Sequence, residues 1–223
     1  MQKFLPLLET VPLLAGLGTE QLEALPRALD ARVQAFARGE IVLHVGDAVR
    51  ALGIVLSGRL EISQEDYHGN AVLLAGLSAG ELFAESFACT GRHSTVQVRA
   101  AEKAQVLWLS FARLRAPSPE FALLCARVSA NLTEMLARKN IFLTGRIAHI
   151  SKRTLREKVL SYLFEVSAQT GSRSFTIPFD RRQLAEYLAA DRSALSAVLG
   201  RLRDEGVLTF HKNQFTLYNA RKL

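Results

Sequence analysis

A helix predicted near the C-terminal end of the sequence has an apolar side and a polar side. Leu195, Val198 and Leu202 recur at intervals of three and four residues, so they would share an inward face. The residues projected outward are Arg192, Ser193, Ser196 and Arg203. An arginine can form two hydrogen bonds to guanine O6 and N7, whereas a serine can contact either a base or a phosphate. The pattern predicts a helix that reads base pairs in the major groove of DNA, with Arg192 as the specifying residue.

A second, preceding helix would position the first one. Asp180 is placed to cap its N-terminus, and Leu184, Ala185 and Leu188 form its apolar face. A break at residues 189–191 separates the two helices, and the small Ala185 allows them to approach closely, which predicts a helix-turn-helix. The residues at its start that are placed to contact backbone phosphates are Arg181, Arg182 and Gln183.

The segment after these two helices predicts a β-hairpin. Gly206 is placed to end the second helix, and apolar runs at 207–210 and 214–218 flank the turn 211–213. A hairpin beside a helix-turn-helix is a wing. Its tip carries Lys212, which we expect to contact DNA.

The charge distribution supports a nucleic-acid partner. The net charge of the chain is +7, and residues 1–145 contain 14 basic and 14 acidic residues, so the whole surplus lies in residues 146–223. A basic module beside a neutral one favours a polyanion, most commonly nucleic acid. Double-stranded DNA is therefore the expected partner.

Other function classes find little support. The sequence has no nucleophile elbow, P-loop or HExxH motif and no pair of carboxylates in a readable catalytic context, so an enzyme is not expected. No run approaches the roughly 18 apolar residues of a membrane span. Proline and acidic residues interrupt the leucine-rich N-terminal stretch, which makes it a poor signal peptide, so we expect a cytoplasmic protein with no membrane partner. A regulatory subunit that uses the wing domain as an adaptor for other proteins is the alternative, and the basic surplus argues against it.

The first half of the chain predicts an antiparallel barrel or jelly roll. Short apolar runs punctuated by glycine lie at 41–45, 53–56, 60–63, 71–77, 95–101 and 104–109, with a hairpin connection at 66–70. Thr19 is placed to cap a short helix that runs to Asp30. With the C-terminal helices, these strands predict an α+β fold.

Beyond residue 119 the apolar period becomes helical. The alternating steps of four and three residues are typical of a coiled-coil seam. The apolar seam residues are Phe121, Cys125, Val128, Leu132, Met135 and Phe142. The seam predicts a homodimer; the alternative is that this face packs on its own β domain, and Lys139 within the seam weakens the zipper pattern. A further helix is predicted to start after Ser151 and to end before Gly171, followed by a strand at 174–179.

These elements predict three regions. Residues 1–116 would form the antiparallel barrel or jelly roll, residues 117–147 a long helix, and residues 148–223 a winged helix-turn-helix domain.

Over nearly its whole length the chain resembles the cyclic-AMP receptor protein / fumarate-nitrate regulator (Crp/Fnr) family of bacterial transcription factors. The N-terminal part of the resemblance is RGEIVLHVGD, LGIVLSGRLEI and AGELFAES; the C-terminal part is SKRTLREKVLSYL, FTIPFDRRQLAEYLAADRSALSAVLGRLRDEGVL and FHKNQFTLY. The resemblance implies that residues 1–116 form an effector-sensing β-roll and that residues 117–147 form a dimerisation helix. It also implies a homodimer that binds a two-fold symmetric operator, with RNA polymerase as a partner if the protein is an activator.

Three positions depart from the family pattern. Members often carry Glu in place of Ser193 and Arg in place of Ala197, so the operator of the best-known members does not transfer to this chain. Ala189 stands in the turn where glycine is common, which implies strain if the residue has a positive φ.

The resemblance also suggests an effector site. Glu85 falls where nucleotide-binding relatives carry a ribose-binding Glu, but His93 stands where they carry a phosphate-binding Arg, so phosphate capture would require Arg92 or Arg99 to reorient. The candidate effector-binding residues are Glu85, Arg92, His93, Ser94 and Thr95.

The identity of the effector stays open at this point. The two cysteines, Cys89 and Cys125, are too few for an iron-sulfur cluster and form no zinc pair. A haem is an alternative, with axial ligands drawn from Cys89, His93, His44 or His68. A small organic or aromatic effector is favoured by elimination, and no metal site is predicted.

Overall fold

The computed structural model describes residues 2–65 and 71–218. The predicted hairpin connection at 66–70, with His68, lies outside these residues. The chain divides into two compact units, Met1–Leu136 and Ala137–Leu223.

The N-terminal unit contains two four-stranded sheets in which every pairing is antiparallel. Its strands are β1 (Arg32–Phe36), β2 (Ile41–Leu43), β3 (Ala51–Ser57), β4 (Leu60–Glu65), β5 (Ala71–Leu77), β6 (Leu82–Phe83), β7 (Gln97–Ala100) and β8 (Ala104–Ser110). The strand orders are β1-β8-β3-β6 and β2-β7-β4-β5. The predicted antiparallel roll is therefore confirmed. Strand β1 was not predicted, because four of its five side chains are exposed and it shows no apolar pattern.

Four short α-helices accompany the sheets: α1 (Leu5–Leu8), α2 (Thr19–Leu29), α3 (Glu85–Thr90) and α4 (Phe111–Arg115). The expectation that Thr19 caps α2 is wrong. Gly18 occupies the N-cap position, and its N–H donates to Gln21 Oε1 at 3.0 Å. The first helical turn is thus stabilised by Gln21 from within the helix.

The long helix α5 (Ala122–Ile150) corrects the predicted dimer seam. The first four seam residues are buried within the N-terminal unit: Phe121, Cys125, Val128 and Leu132. Met135 packs against the same core. The four buried side chains have no surface left for a partner, so the expectation that they face a second subunit does not hold; Met135 is only partly buried. Phe142 remains half exposed, as do several apolar neighbours later in α5.

The C-terminal unit contains helices and a small sheet around a core of its own. Its further elements are α6 (Leu155–Thr170), β9 (Ser174–Thr176), α7 (Arg181–Tyr187), α8 (Arg192–Asp204), β10 (Leu208–His211) and β11 (Gln214–Leu217). The three strands pair in the order β10-β11-β9. All six residues predicted to face inward from α7 and α8 are buried in this core, together with Leu199 and Phe215. The predicted winged helix-turn-helix is confirmed.

Candidate nucleic-acid interface

Helix α7 begins with a reciprocal cap. Asp180 Oδ1 accepts a hydrogen bond from the Gln183 N–H at 2.8 Å, and Gln183 Oε1 accepts one from the Asp180 N–H, also at 2.8 Å. The pair satisfies two backbone donors that the helix itself leaves unpaired. The side-chain carbonyl of Gln183 is therefore committed to the cap, and only its amide nitrogen remains for the predicted phosphate contact.

A tight turn separates α7 from α8, as predicted. Ala189 has φ of 49°, in the left-handed region that costs a residue with a Cβ about 1–2 kcal/mol. The strain anticipated at this position is therefore present. The turn ends at Asp191, which becomes the N-cap of α8.

Asp191 fixes the start of α8. Its Oδ1 accepts hydrogen bonds from the N–H groups of Ser193 at 2.7 Å and Ala194 at 3.1 Å. The Ser193 hydroxyl and these backbone donors lower the pKa of Asp191, so its carboxylate is ionised at the positive end of the helix dipole. This cap holds the first turn of the helix that must enter a groove.

Helix α8 buries one side and exposes the other. Leu195, Leu199 and Leu202 have no exposed surface. The four side chains predicted to face outward are all exposed: Arg192, Ser193, Ser196 and Arg203. The helix ends at Asp204, and Gly206 follows with φ of 70°, which agrees with its predicted role in termination. The polar face is thus presented to solvent.

The two serines use their hydroxyl protons locally. Ser193 Oγ donates to Asp191 Oδ1 at 2.5 Å, and Ser196 Oγ donates to the Arg192 carbonyl at 2.9 Å. A hydroxyl retains acceptor lone pairs after donating, so each serine can still accept from a base amino group. Arg192, in contrast, offers a long donor side chain at the same end of the helix.

The wing is tied to the segment that precedes α7. Asn213 Nδ2 donates to the Ile177 carbonyl at 3.0 Å, and the Ile177 N–H donates to the Asn213 carbonyl at 2.9 Å. Lys212, beside Asn213 in the turn, is exposed and has φ of 54°. The hairpin therefore presents one basic side chain from a backbone that is held in place.

Arg181 packs against this wing. Its Nη2 donates to the Lys212 carbonyl at 3.3 Å, and its Cζ lies 5.0 Å from the centroid of the Phe210 ring. Burial lowers the pKa of Arg181, although a guanidinium stays protonated in proteins. The structure therefore places Arg181 in contact with the wing, whereas the sequence suggested a phosphate contact.

Two further predicted residues remain accessible. Arg182 forms an ion pair with Glu186 at 3.5 Å, and Arg203 forms one with Asp204 at 3.2 Å. All four side chains are more than half exposed, and such surface pairs contribute at most about 1 kcal/mol. Phosphate groups can therefore displace these carboxylates at little cost.

A contact that the sequence did not reveal fixes the other end of α7. Arg146, near the end of α5, donates to the carbonyls of Glu186 and Tyr187, both at 2.9 Å. The buried His149 lies 3.0 Å from the Tyr187 hydroxyl through Nδ1 and 2.9 Å from Glu165 Oε2 through Nε2. Because Arg146 and His149 are about 40 residues from their α7 partners in sequence, no local pattern could indicate the pairing. The last turn of α7 is thereby anchored to α5.

The five candidate effector residues divide into buried and exposed groups. Glu85, at the start of α3, and Ser94 are buried, and Ser94 Oγ donates to the Val96 carbonyl at 2.7 Å. The other three are exposed: Arg92, His93 and Thr95. Burial raises the pKa of the neighbouring Cys89 thiol, and the charge of Glu85 raises it further. A protonated thiol is a poor ligand for a metal or haem iron.

Two features are absent from residues 2–65 and 71–218. These residues contain no group of three or more His, Cys, Asp or Glu side chains arranged to hold a metal ion. Within the same ranges, no helix has the length and apolar character required to span a bilayer.

A winged helix-turn-helix with an exposed polar recognition helix, carried on the same chain as an antiparallel β-roll, defines a class of DNA-binding regulators. Comparison with known families agrees. The model of the cyclic nucleotide-binding domain matches residues 33–116, and that of the Crp-like helix-turn-helix domain matches residues 157–223. The chain belongs to the Crp/Fnr family of transcription regulators. This family consists of regulators and not of enzymes, in agreement with the sequence.

Relatives from several bacteria match most of the chain. The cyclic AMP receptor protein of Thermus thermophilus is 26% identical over 200 residues, which cover 88% of each chain. The fumarate nitrate reduction regulatory protein of Klebsiella oxytoca is 22% identical over 216 residues, covering 92% of this chain and 81% of the relative. Among solved structures, CprK in complex with OCPA has a TM-score of 0.57 at 18% identity, over 92% of this chain and 94% of the other. That structural likeness supports the fold alone.

Proposed function

We propose that the protein binds a two-fold symmetric DNA operator as a homodimer, and that an effector bound in residues 1–116 changes its affinity for the operator. The observation that carries the DNA-binding part is the exposed polar face of α8. That face starts at a fixed cap, is held by a buried apolar side, and lies on the same unit as the basic wing tip. An α-helix fits the major groove in this way, and its N-terminal residues reach the base edges.

The side chains have different roles in this proposal. Arg192 reads a base, because it is the long donor at the N-terminal end of the exposed face. Ser193 and Ser196 accept from base amino groups. The remaining contacts are to phosphates, which position the protein without selecting sequence. The side chains proposed for these contacts are Arg182, Arg203, Lys212 and the amide of Gln183.

A selection from random duplexes, followed by binding assays, tests this assignment. We expect enrichment of an inverted repeat whose half-sites lie about one helical turn apart. Arg192→Ala should reduce discrimination at one base pair per half-site by about 1–3 kcal/mol, whereas Arg182→Ala should weaken binding to all sequences alike. Equal effects of the two variants would show that the recognition helix is misassigned. Failure to enrich any sequence would refute specific DNA binding.

The proposed homodimer uses apolar residues of α5 that are not covered by the protomer. Leu143 and Ile147 are four residues apart and share one face of α5, with 45% and 60% of their surfaces exposed, whereas Ile141, 72% exposed, lies on another side of the helix. Exposed apolar side chains clustered on one helix mark an association surface, and a second copy of α5 offers the same surface across a two-fold axis. This revises the predicted seam toward the C-terminal part of the helix.

Sedimentation of the full chain tests the dimer. Leu143→Ser combined with Ile147→Ser should convert the dimer to a monomer at micromolar concentration. Val45→Ser is the matched control, because Val45 is also an exposed apolar residue but lies outside α5. An unchanged dimer in the double variant would contradict this interface.

The effector proposal is supported by the match of the cyclic nucleotide-binding family to residues 33–116. A cyclic nucleotide fits residues 92–94 poorly, since the Ser94 hydroxyl is bound to backbone and a histidine replaces the phosphate-binding arginine. We therefore favour a small organic or aromatic effector. An absorption spectrum of the purified protein tests for haem as the effector, and thermal-shift measurements with cyclic nucleotides test for a cyclic nucleotide as the effector.

The cellular setting follows from the proposed role. A bacterial regulator meets its operator in the cytoplasm, which is the compartment we propose. If the protein activates transcription, RNA polymerase is its protein partner, and in vitro transcription from a selected operator distinguishes activation from repression.

A further inference from the structure

We propose that Arg181 is a positioning residue for the wing: it holds Lys212 where the Lys212 ammonium contacts a DNA phosphate, and it makes no phosphate contact of its own. The inference rests on the DNA binding proposed above. It assigns to Arg181 a role different from the one that its place at the start of α7 suggested.

The first support is the aromatic contact of the Arg181 guanidinium. Its Cζ lies 5.0 Å from the Phe210 ring centroid and 5.8 Å from that of Phe215. Phe210 and Phe215 are direct partners in the β10–β11 ladder, and their rings stack with centroids 5.9 Å apart. A guanidinium within about 6 Å of a ring face is attracted by the ring quadrupole. Arg181 is therefore held by the hairpin that forms the wing.

Phe210 also contacts the recognition helix. The Cζ of Arg203, in the last turn of α8, lies 6.0 Å from its ring centroid. One wing side chain is thus contacted by arginines from both helices of the helix-turn-helix. The position of the wing relative to the two helices depends on this ring and on Arg181.

The second support is the backbone of the wing tip. Lys212 has φ of 54°, which is unfavourable for a lysine, and its carbonyl accepts the hydrogen bond from Arg181 Nη2. The next residue, Asn213, is anchored to Ile177 by two hydrogen bonds. A strained conformation persists only where its surroundings determine it, and such residues cluster at functional sites. These contacts determine the direction in which the Lys212 side chain leaves the wing.

The third support is the contrast with the neighbouring residue. The Arg182 side chain is 71% exposed and forms an ion pair at the surface, whereas Arg181 is only partly exposed and its Nη2 donates to the wing backbone. A phosphate would have to draw Arg181 away from both the ring and the carbonyl. Arg182 is free to bind a phosphate without such a loss.

A double-mutant cycle on the salt dependence of DNA binding tests the proposal. Binding of the full chain to a selected operator is measured by fluorescence anisotropy over a range of salt concentrations. Each phosphate contact contributes about 0.9 to the slope of log affinity against log salt. We expect Arg181→Ala and Lys212→Ala each to reduce the slope by about 0.9 per half-site, and the double variant to reduce it by the same amount. The matched control is Arg182→Ala with Lys212→Ala, for which two independent contacts should reduce the slope by about 1.8.

A second variant separates charge from position. Phe210→Leu leaves every charge in place, yet we expect it to reduce the slope as Lys212→Ala does. Circular dichroism verifies that Phe210→Leu is folded. If this variant unfolds, the double-mutant cycle on Arg181 and Lys212 still tests the positioning role of Arg181. A slope loss of about 1.8 in the Arg181/Lys212 double variant would overturn the proposal, as would an unchanged slope in Arg181→Ala, in Lys212→Ala or in folded Phe210→Leu. Absence of binding by the unsubstituted protein would overturn the proposed function as well.

Discussion

Replacement of Ala189 by glycine should stabilise the C-terminal unit. The residue has φ of 49°, where a Cβ costs about 1–2 kcal/mol, whereas a glycine adds about 0.5–1 kcal/mol of conformational entropy to the unfolded chain. The Ala189 side chain is exposed, so its removal loses no packing. The net gain is about 0.5–1 kcal/mol, which for a unit of this size raises the unfolding midpoint by roughly 2–8 °C.

The assay is thermal unfolding of the full chain followed by circular dichroism. The sequence contains one tryptophan, Trp108, which lies in the N-terminal unit, so the fluorescence transition should not move. Ala197→Gly is the matched control. Ala197 is also exposed but lies in the middle of α8, where the same substitution should destabilise by about 1 kcal/mol.

The opposite signs of the two alanine-to-glycine changes are the diagnostic result. If Ala189→Gly lowers the midpoint as Ala197→Gly does, the turn does not require a left-handed residue and the strain assigned to it is absent. The substitution should leave the operator preference unchanged, because Ala189 carries no proposed DNA contact.

Other predictions concern titration, thiol chemistry and packing. The folded pKa of Asp191 is lowered, so its stabilisation of the folded state is present above the unfolded pKa of about 3.9 and is lost as pH falls through the folded pKa. Asp191→Asn should reduce this loss of unfolding free energy at acid pH, and an unchanged pH dependence would contradict the cap. Burial raises the pKa values of Cys89 and Cys125, so iodoacetamide at pH 8 should modify both more slowly than a free thiol; rapid labelling seen by mass spectrometry would refute this. Leu195 is fully buried, and Leu195→Ala should destabilise by about 2–5 kcal/mol in urea unfolding, whereas a loss below 1 kcal/mol would count against the α7–α8 packing.

The helix-turn-helix could be predicted because its determinants are local in sequence. The N-caps Asp180 and Asp191, the apolar spacing between them and the terminating Gly206 all act within a few residues of the bonds they form. Strand β1 offered no such signal, since its register is set by β8, about 70 residues away. The Arg146 and His149 contacts to α7 were missed for the same reason.

The long helix illustrates a different limit. The period of Phe121, Cys125, Val128 and Leu132 correctly indicated an apolar face, but a period does not indicate what covers that face. A coiled-coil seam and a face packed on the protomer's own β-roll have the same spacing over this length. Only the folded chain distinguishes them, and in it the exposed apolar face of α5 lies at Leu143 and Ile147.

The same ambiguity affects polar residues at helix starts. A side chain that can bind a phosphate can also cap a helix or hold a neighbouring hairpin, because all three tasks use the same donors and acceptors. Gln183 completes the cap of α7, Ser193 donates to the Asp191 cap of α8, and Arg181 contacts the wing, although all three were assigned to DNA by residue type and position. At the N-terminal end of α8, Arg192 is then the residue whose long donor side chain is left for the groove. Base selection should therefore depend on Arg192 more strongly than a count of polar residues on the helix would suggest.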